Sequence, residues 1–367
     1  MSRIYLDDAG SAPVLPEVHD AVRMLPGGNP SSPHSEGRYV RAELDKVRDA
    51  VAAVMTAART EITFVSSGTE AVNLALLGSA ARLPKSGGIL TWAAEHQSVL
   101  GAVRHIQQLG RDIVIAPVDA AARVDPDAIT PGTALVSVGL ANNEVGTIQP
   151  VAEVIERAHA VGALVHVDAC AGPRWIPLPK GADLLSISGH KIGGGRGGLL
   201  YVRDGVRVDP LFFGGPQEWG RRGGHEDIYG AASVASALAI VCSRIAETRS
   251  RVAAGQSAAL RSTLVDLGGT LTGDDHRLPN FATCTFPGRR GEDMLMALDL
   301  AGIAASSGSA CASGSLDPSH VLLAMGLSMD EALGSLRLTI GYETSDEEIA
   351  RAAAILRSVL SRAPSHA

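Results

Sequence analysis

Lysine is the scarcest of the charged residues. Among 32 basic side chains only four are lysines, Lys46, Lys85, Lys180 and Lys191, so chemistry that needs a lysine amine has few candidates. Aromatic residues make up only 4% of the chain, which argues against base-stacking platforms. The net charge is −7 and no basic run occurs, so no nucleic-acid footprint is expected. Cysteine is sparse, with four residues and no CxxC pair. That excludes a disulfide framework, makes a structural zinc site unattractive and leaves no metal site to expect. Glycine is plentiful at 41 residues, but without the Gly-X-Y period of collagen. The N-terminus lacks the apolar segment of a signal peptide, and the longest weakly polar stretch, Gly230 to Cys242, is too short to span a bilayer. These absences point to a cytoplasmic chain in a reducing compartment, with no membrane partner.

What remains is a 367-residue chain, 46% hydrophobic and 19% charged, with apolar material for about two domains. Val40, Leu44, Val47, Val51 and Val54 recur at helical spacing. Residues 61–65 read as a strand, 66–68 as a turn and 69–77 as a helix. Short apolar runs follow at 89–92, 113–118, 134–140, 163–167, 184–187 and 199–202, with a helical pattern at Val151, Val154, Ile155 and Ala158. Such alternation predicts an α/β fold with a mostly parallel sheet covered on both faces. After about residue 245 the pattern changes to a polar helix over 243–267, short strands and a terminal helix over 346–360. The expected division is a large domain of residues 14–245 and a smaller α+β domain of residues 1–13 and 246–367.

Several positions carry chemical potential. Lys191 follows a strand in Ser188-Gly189-His190-Lys191, where α/β sheets bind ligands, and a desolvated lysine there can form a Schiff base. Asp168 ends an apolar run; it suits a protonated pyridine nitrogen, or the N-cap of a following helix. Ser67-Gly68-Thr69 at a strand-to-helix turn offers free N–H groups and hydroxyls to a phosphate. Residues 193–198 satisfy GxGxxG, but a strand follows instead of a helix, so a dinucleotide site is rejected. Cys311 lies among Ser, Gly and Ala, as an accessible thiol would, whereas Cys170, Cys242 and Cys284 read as inert core residues. His96, at a strand end, can stack on a planar ring. Arg337, in a strand, can clamp a carboxylate. Together these are the parts of a pyridoxal-phosphate site.

In this order the motifs resemble those of the class I cysteine desulfurases of the iron–sulfur-cluster and nitrogenase-maturation type. The likeness runs almost end to end: Tyr5-Leu6-Asp7, residues 28–34, Ser67-Gly68-Thr69-Glu70, Glu95-His96, residues 142–147, His166-Val167-Asp168-Ala169, Ser188-Gly189-His190-Lys191, Gly308-Ser309-Ala310-Cys311, and Arg337 with Gly341. These are fold-type I pyridoxal 5'-phosphate enzymes of the class V aminotransferase group. The resemblance implies a seven-stranded, mainly parallel sheet and a homodimer. It implies that Lys191 binds the cofactor's carbonyl, Asp168 its ring nitrogen and His96 its ring face, with His96 also moving protons. Gly68, Thr69, Ser188 and His190 would bind the phosphate, and Asn143 and Arg337 the substrate carboxylate. Cys311 would take sulfur from L-cysteine, leaving L-alanine and a persulfide for an acceptor protein.

Three departures set this chain apart from the family pattern. The usual glutamine three residues after the ring-nitrogen aspartate is Ala171. The usual Arg-Ser-Gly-Thr is Arg222-Gly223-Gly224-His225, which leaves His225 to reach the neighbouring subunit's phosphate. The usual Ala-Thr-Thr is Gly10-Ser11-Ala12. They point to a divergent member in a specialised sulfur pathway. Two alternatives stay open at this level: a C–S or C–Se lyase on another substrate, and an impaired homologue serving as a subunit of a sulfur-transfer complex.

Overall fold

The computed structural model describes residues 3–307 and 317–361, apart from the side chains of 244–246. Twelve strands and twelve α-helices order the described chain. Its first third runs β1 (Ile4–Tyr5), α1 (Pro16–Arg23), α2 (Ser35–Met55), β2 (Ile62–Val65), α3 (Gly68–Ala80), β3 (Gly88–Trp92), α4 (Gln97–Gln108) and β4 (Ile113–Ala116). The middle comprises β5 (Thr133–Gly139), α5 (Val151–Ala160), β6 (Leu164–Asp168), β7 (Leu184–Ser188), α6 (Gly189–Ile192), β8 (Gly198–Val202), α7 (Ile228–Val241) and α8 (Arg244–Asp266). The rest is β9 (Thr270–Leu271), β10 (Phe281–Thr285), α9 (Gly291–Leu300), β11 (Ile303–Ala304), α10 (His320–Ala324), α11 (Met329–Leu333), β12 (Ser335–Thr339) and α12 (Asp346–Leu360).

Seven strands form one sheet in the order β2-β8-β7-β6-β5-β3-β4. β8 runs antiparallel to both neighbours and every other pairing is parallel. This is the mainly parallel seven-stranded sheet the motifs imply. Its strands are apolar on both faces because helices cover both. Val72, Val99 and Val103 of α3 and α4 share one packed cluster with Leu135, Leu184 and Leu200. Val40, Val154 and Leu238 of α2, α5 and α7 share another with Val136, Val165 and Ile187. Each such buried aliphatic side chain stabilises the fold by roughly 1.5–3 kcal/mol. A buried ion pair ties these layers: Arg48 of α2 meets Glu218 at 2.6 Å, and Glu218 also accepts from Phe64 N in β2.

Beyond the large sheet, β12-β10-β9 form an antiparallel sheet and β1 pairs with β11 in parallel. A bridge between Asp7 and Thr339 joins the N-terminal strand to β12. The glycine-rich segment after Lys191 turns the chain back into β8 with Gly193, Gly195 and Gly197 all at positive φ, in keeping with the rejected dinucleotide reading.

Most elements follow the sequence pattern. The helix expected at Val40–Val54 is α2, and the terminal helix spans 346–360 as expected. The apolar run 113–118 gives a strand only to Ala116. α7 is the element that periodicity does not reveal. Ile228, Ala231, Val234, Ala235, Leu238 and Val241 are buried on one side, and the other side carries Tyr229, Ser236, Ala239 and Ile240 instead of charged residues, so it has no charged stripe to announce it.

Candidate active site

The carboxyl ends of β3, β5, β6 and β7 and the turns that follow them open onto one cavity of about 290 Å³. Gly68, Thr69, His96, Asn143, Asp168, Ser188, His190, Lys191 and Arg337 all line it. Nine positions spread over 270 residues of sequence thus converge, as ligand sites in open α/β sheets do.

Asp168 ends β6. Its Oδ1 accepts from Cys170 N at 3.0 Å and from Ser186 Oγ at 3.1 Å, and no helix follows, so the N-cap alternative fails. Ser186 donates its proton to Asp168 and so accepts from His166 Nε2, at 3.1 Å. Ser137 Oγ then donates to His166 Nδ1, at 2.9 Å. Burial pushes the fully buried His166 down to about 4, so this chain of three groups is neutral and fixes one carboxylate oxygen. The sequence reading missed Ser137 and Ser186. Their signal was a lone polar residue within each apolar strand.

Lys191 sits in the short helix α6 and donates to the carbonyls of Ala9 and of Gly10, the latter at 3.0 Å. His190 Nδ1 lies 2.8 Å from Ser188 Oγ; burial and the Lys191 charge push His190 down to about 4. His96 caps α4, with Ser98 N donating to its Nδ1 at 3.1 Å. The preceding Glu95 is fully buried and accepts from Gly139 N at 2.9 Å. Burial, aided by the charge of Asp168, pushes its carboxyl up to about 8, so it holds a proton at neutral pH.

Arg337 leaves β12, and its guanidinium donates to Asn143 O and pairs with Asp7, each at 2.8 Å. The clamp and its expected companion at 143 are therefore adjacent. His225 is exposed and does not line the cavity of its own chain. Cys311 lies outside the described residues, but both flanks of its segment are anchored at the site. Ser306 pairs with Arg337 across backbone hydrogen bonds, and Ser335 Oγ donates to Ser307 O. On the far side Ser319 donates to Glu144, and His320 Nε2 lies 2.9 Å from Glu95 O. Two of the other thiols correct the expectation of core cysteines. Cys242 is exposed, and Cys170 borders the cavity because it follows Asp168 past the strand end. Burial pushes the Cys170 thiol well above its ordinary range and Cys284 up to about 12, so neither offers a thiolate.

The aminotransferase class-V family profile matches residues 4–352. Cysteine desulfurase IscS of Dictyoglomus turgidum is 36% identical over 98% of this chain and 95% of its own length. Cysteine desulfurase IscS 1 of Archaeoglobus fulgidus is 39% identical over 98% and 97%. The chain belongs to the cysteine desulfurases of the aminotransferase class-V family. A solved structure described as a NifS-like protein superposes with a TM-score of 0.91 at 31% identity, over 98% of this chain and 99% of that one. The cofactor of this desulfurase family is pyridoxal 5'-phosphate, and the cavity fits it. α3 presents the N–H groups of Gly68 and Thr69 at its N-terminus, a setting for a phosphate. Gly68 keeps that end open: a Cβ there would lie 2.6 Å from Cys170 Sγ and 2.7 Å from Ser188 Cβ. Trp92 Nε1 and Arg337 Nε, on two cavity-lining residues, are buried donors with no partner among the described residues. Among the described residues no helix is long and apolar enough to cross a membrane.

Proposed function

We propose that this desulfurase converts L-cysteine to L-alanine and leaves the sulfur as a persulfide on Cys311 for an acceptor protein. The convergence of Lys191, Asp168, His96, Arg337 and the phosphate-type groups on one cavity carries this reading. Thr69, Ser188, His190 and the open end of α3 at Gly68 hold the phosphate. Asp168, its Oδ1 already engaged, would hold the ring nitrogen, and His96 would pack on the ring. Bound there, the cofactor supplies an electron sink for the amino acid's Cα.

The chain's own groups do the rest. Arg337 takes the substrate carboxylate, with Asn143 beside it. Lys191 Nζ, held at the floor by the Ala9 and Gly10 carbonyls, removes the Cα proton. Cys311 Sγ attacks the substrate sulfur. An S–S bond forms and the C–S bond breaks; sulfur is oxidised and the substrate's Cβ is reduced, so no outside oxidant is needed. Cys311 is five positions beyond Ser306, a reach of up to about 17 Å from an anchor beside Arg337.

We further read the chain as a cytoplasmic homodimer in which His225 serves the neighbouring subunit's phosphate site, with a large unit of residues 14–245 and a small unit of 1–13 and 246–367. Exposed Phe212, Phe213, Trp219 and Tyr229 support a covered face near His225. Incubation with L-cysteine without reductant, followed by peptide mass spectrometry, tests the central step. One added sulfur atom on the Cys311 peptide is expected. Added sulfur on Cys170, Cys242 or Cys284 alone, or none at all, would refute the role of Cys311.

A further inference from the structure

Behind the cofactor cavity lies a smaller one of about 20 Å³. Cys170, Ala171 and Lys191 line both, while Arg174 and Asn280 line only the smaller. Arg174 is buried and tightly placed. Its Nη1 donates to Asp8 Oδ1 at 2.7 Å, its Cζ lies 4.1 Å from the Tyr342 ring centroid, and the Tyr342 hydroxyl donates to its carbonyl. Among the described residues its Nε has no partner. Asn280 is placed too, with Nδ2 donating to Ile340 O at 3.2 Å, and its buried Oδ1 has no partner either.

An unpaired buried donor or acceptor costs about 1–3 kcal/mol. Here the two residues that carry them, Arg174 and Asn280, line the same small cavity. A space of about 10–15 Å³ suffices for one water, provided two or more polar groups hold it. The volume of about 20 Å³ meets the first condition, and Arg174 and Asn280, both in the lining, carry the polar atoms for the second. We propose that one water is bound in this cavity, accepting from Arg174 Nε and donating to Asn280 Oδ1, with its second proton directed past Ala171 into the cofactor cavity. Arg174 and Asn280 are then positioning residues, acting on the cofactor through that water, and Asp8 acts by fixing Arg174. The inference rests on the cofactor reading of the larger cavity. It also explains how the chain tolerates Ala171 where the family pattern has glutamine: the water provides the donor that the amide would have supplied to the cofactor's phenolic oxygen.

Two measurements test it. A high-resolution crystal structure of the holoprotein should show ordered density at about 3 Å from both Arg174 Nε and Asn280 Oδ1. A dry cavity, or Arg174 Nε bonded to a protein acceptor, would overturn the proposal. The second readout is the pH midpoint of the holoprotein's visible absorption in Ala171→Gln and Ala171→Leu. Glutamine expels the water but brings its own donor, so its midpoint should match the wild type. Leucine expels the water and brings none. A negatively charged oxygen that loses its donor protonates more readily, so the midpoint should rise by about one pH unit or more. A wild-type midpoint in Ala171→Leu would overturn the role of the water. Absence of any cofactor band in the wild type would instead sink the functional reading, and the electron density would still decide the water.

Discussion

At the scale of single residues, burial decides protonation around this cavity. Glu95, a carboxyl at its wall, is pushed up to about 8, with burial the chief cause. Its native state keeps a proton that the unfolded chain releases above about pH 4.5. The stability this contributes is complete below that pH and is lost as the pH rises toward 8. Glu95→Gln still accepts from Gly139 N and cannot ionise. Its melting temperature should therefore change less between about pH 5 and pH 8 than that of the wild type, and its advantage should be largest at the alkaline end. The same offset at both pH values, read by calorimetry, would show that Glu95 is ionised in the folded protein. Gly68, Thr69, His96, Asp168 and Lys191, which line one cavity, were legible because each sits in a short local motif. Arg174 was not: its partner Asp8 is 166 positions away, and no spacing rule links them.

At the scale of elements, strands were legible by their apolar runs and α2 by its stripe, while α7 is apolar or small on its exposed side as well as its buried one and carried no polar–apolar period. The polar chain Ser137–His166–Ser186 escaped notice because it runs across three strands, not along one. α10 is short, and its placement depends on one residue. Ser319 caps its N-terminus and also donates to the buried Glu144. Ser319→Ala removes the cap and leaves that carboxyl short of a donor, a loss of about 1–3 kcal/mol in chemical denaturation. It also frees the far anchor of the segment carrying Cys311. Sulfur transfer should fall several-fold while cofactor content stays at the wild-type level. Unchanged turnover in a destabilised variant would show that this anchor plays no part in presenting the thiol.

At the scale of the whole molecule, the site is open to solvent on one side. Thr69 is exposed at the phosphate end, and His225 lies on an exposed loop outside its own cavity. If two chains complete each other, light scattering should give a dimer, and His225→Ala should lose cofactor on dialysis faster than the wild type. A monomer that retains its cofactor would contradict the shared site. The central claim concerns what becomes of the substrate's carbon. A desulfurase returns it as alanine, one per sulfur taken, and the role proposed for Cys311 makes its thiol necessary for that. A lyase releases sulfide without that thiol. Removal of a nucleophile costs several orders of magnitude in rate, so Cys311→Ala should still bind the cofactor and L-cysteine but form almost no alanine. The direct measurement is the amount of alanine formed from L-cysteine by the wild type and by Cys311→Ala. Alanine in the wild type and its near-absence in the variant is the predicted result. Sulfide released by Cys311→Ala at the wild-type rate, with no alanine from either protein, would contradict it.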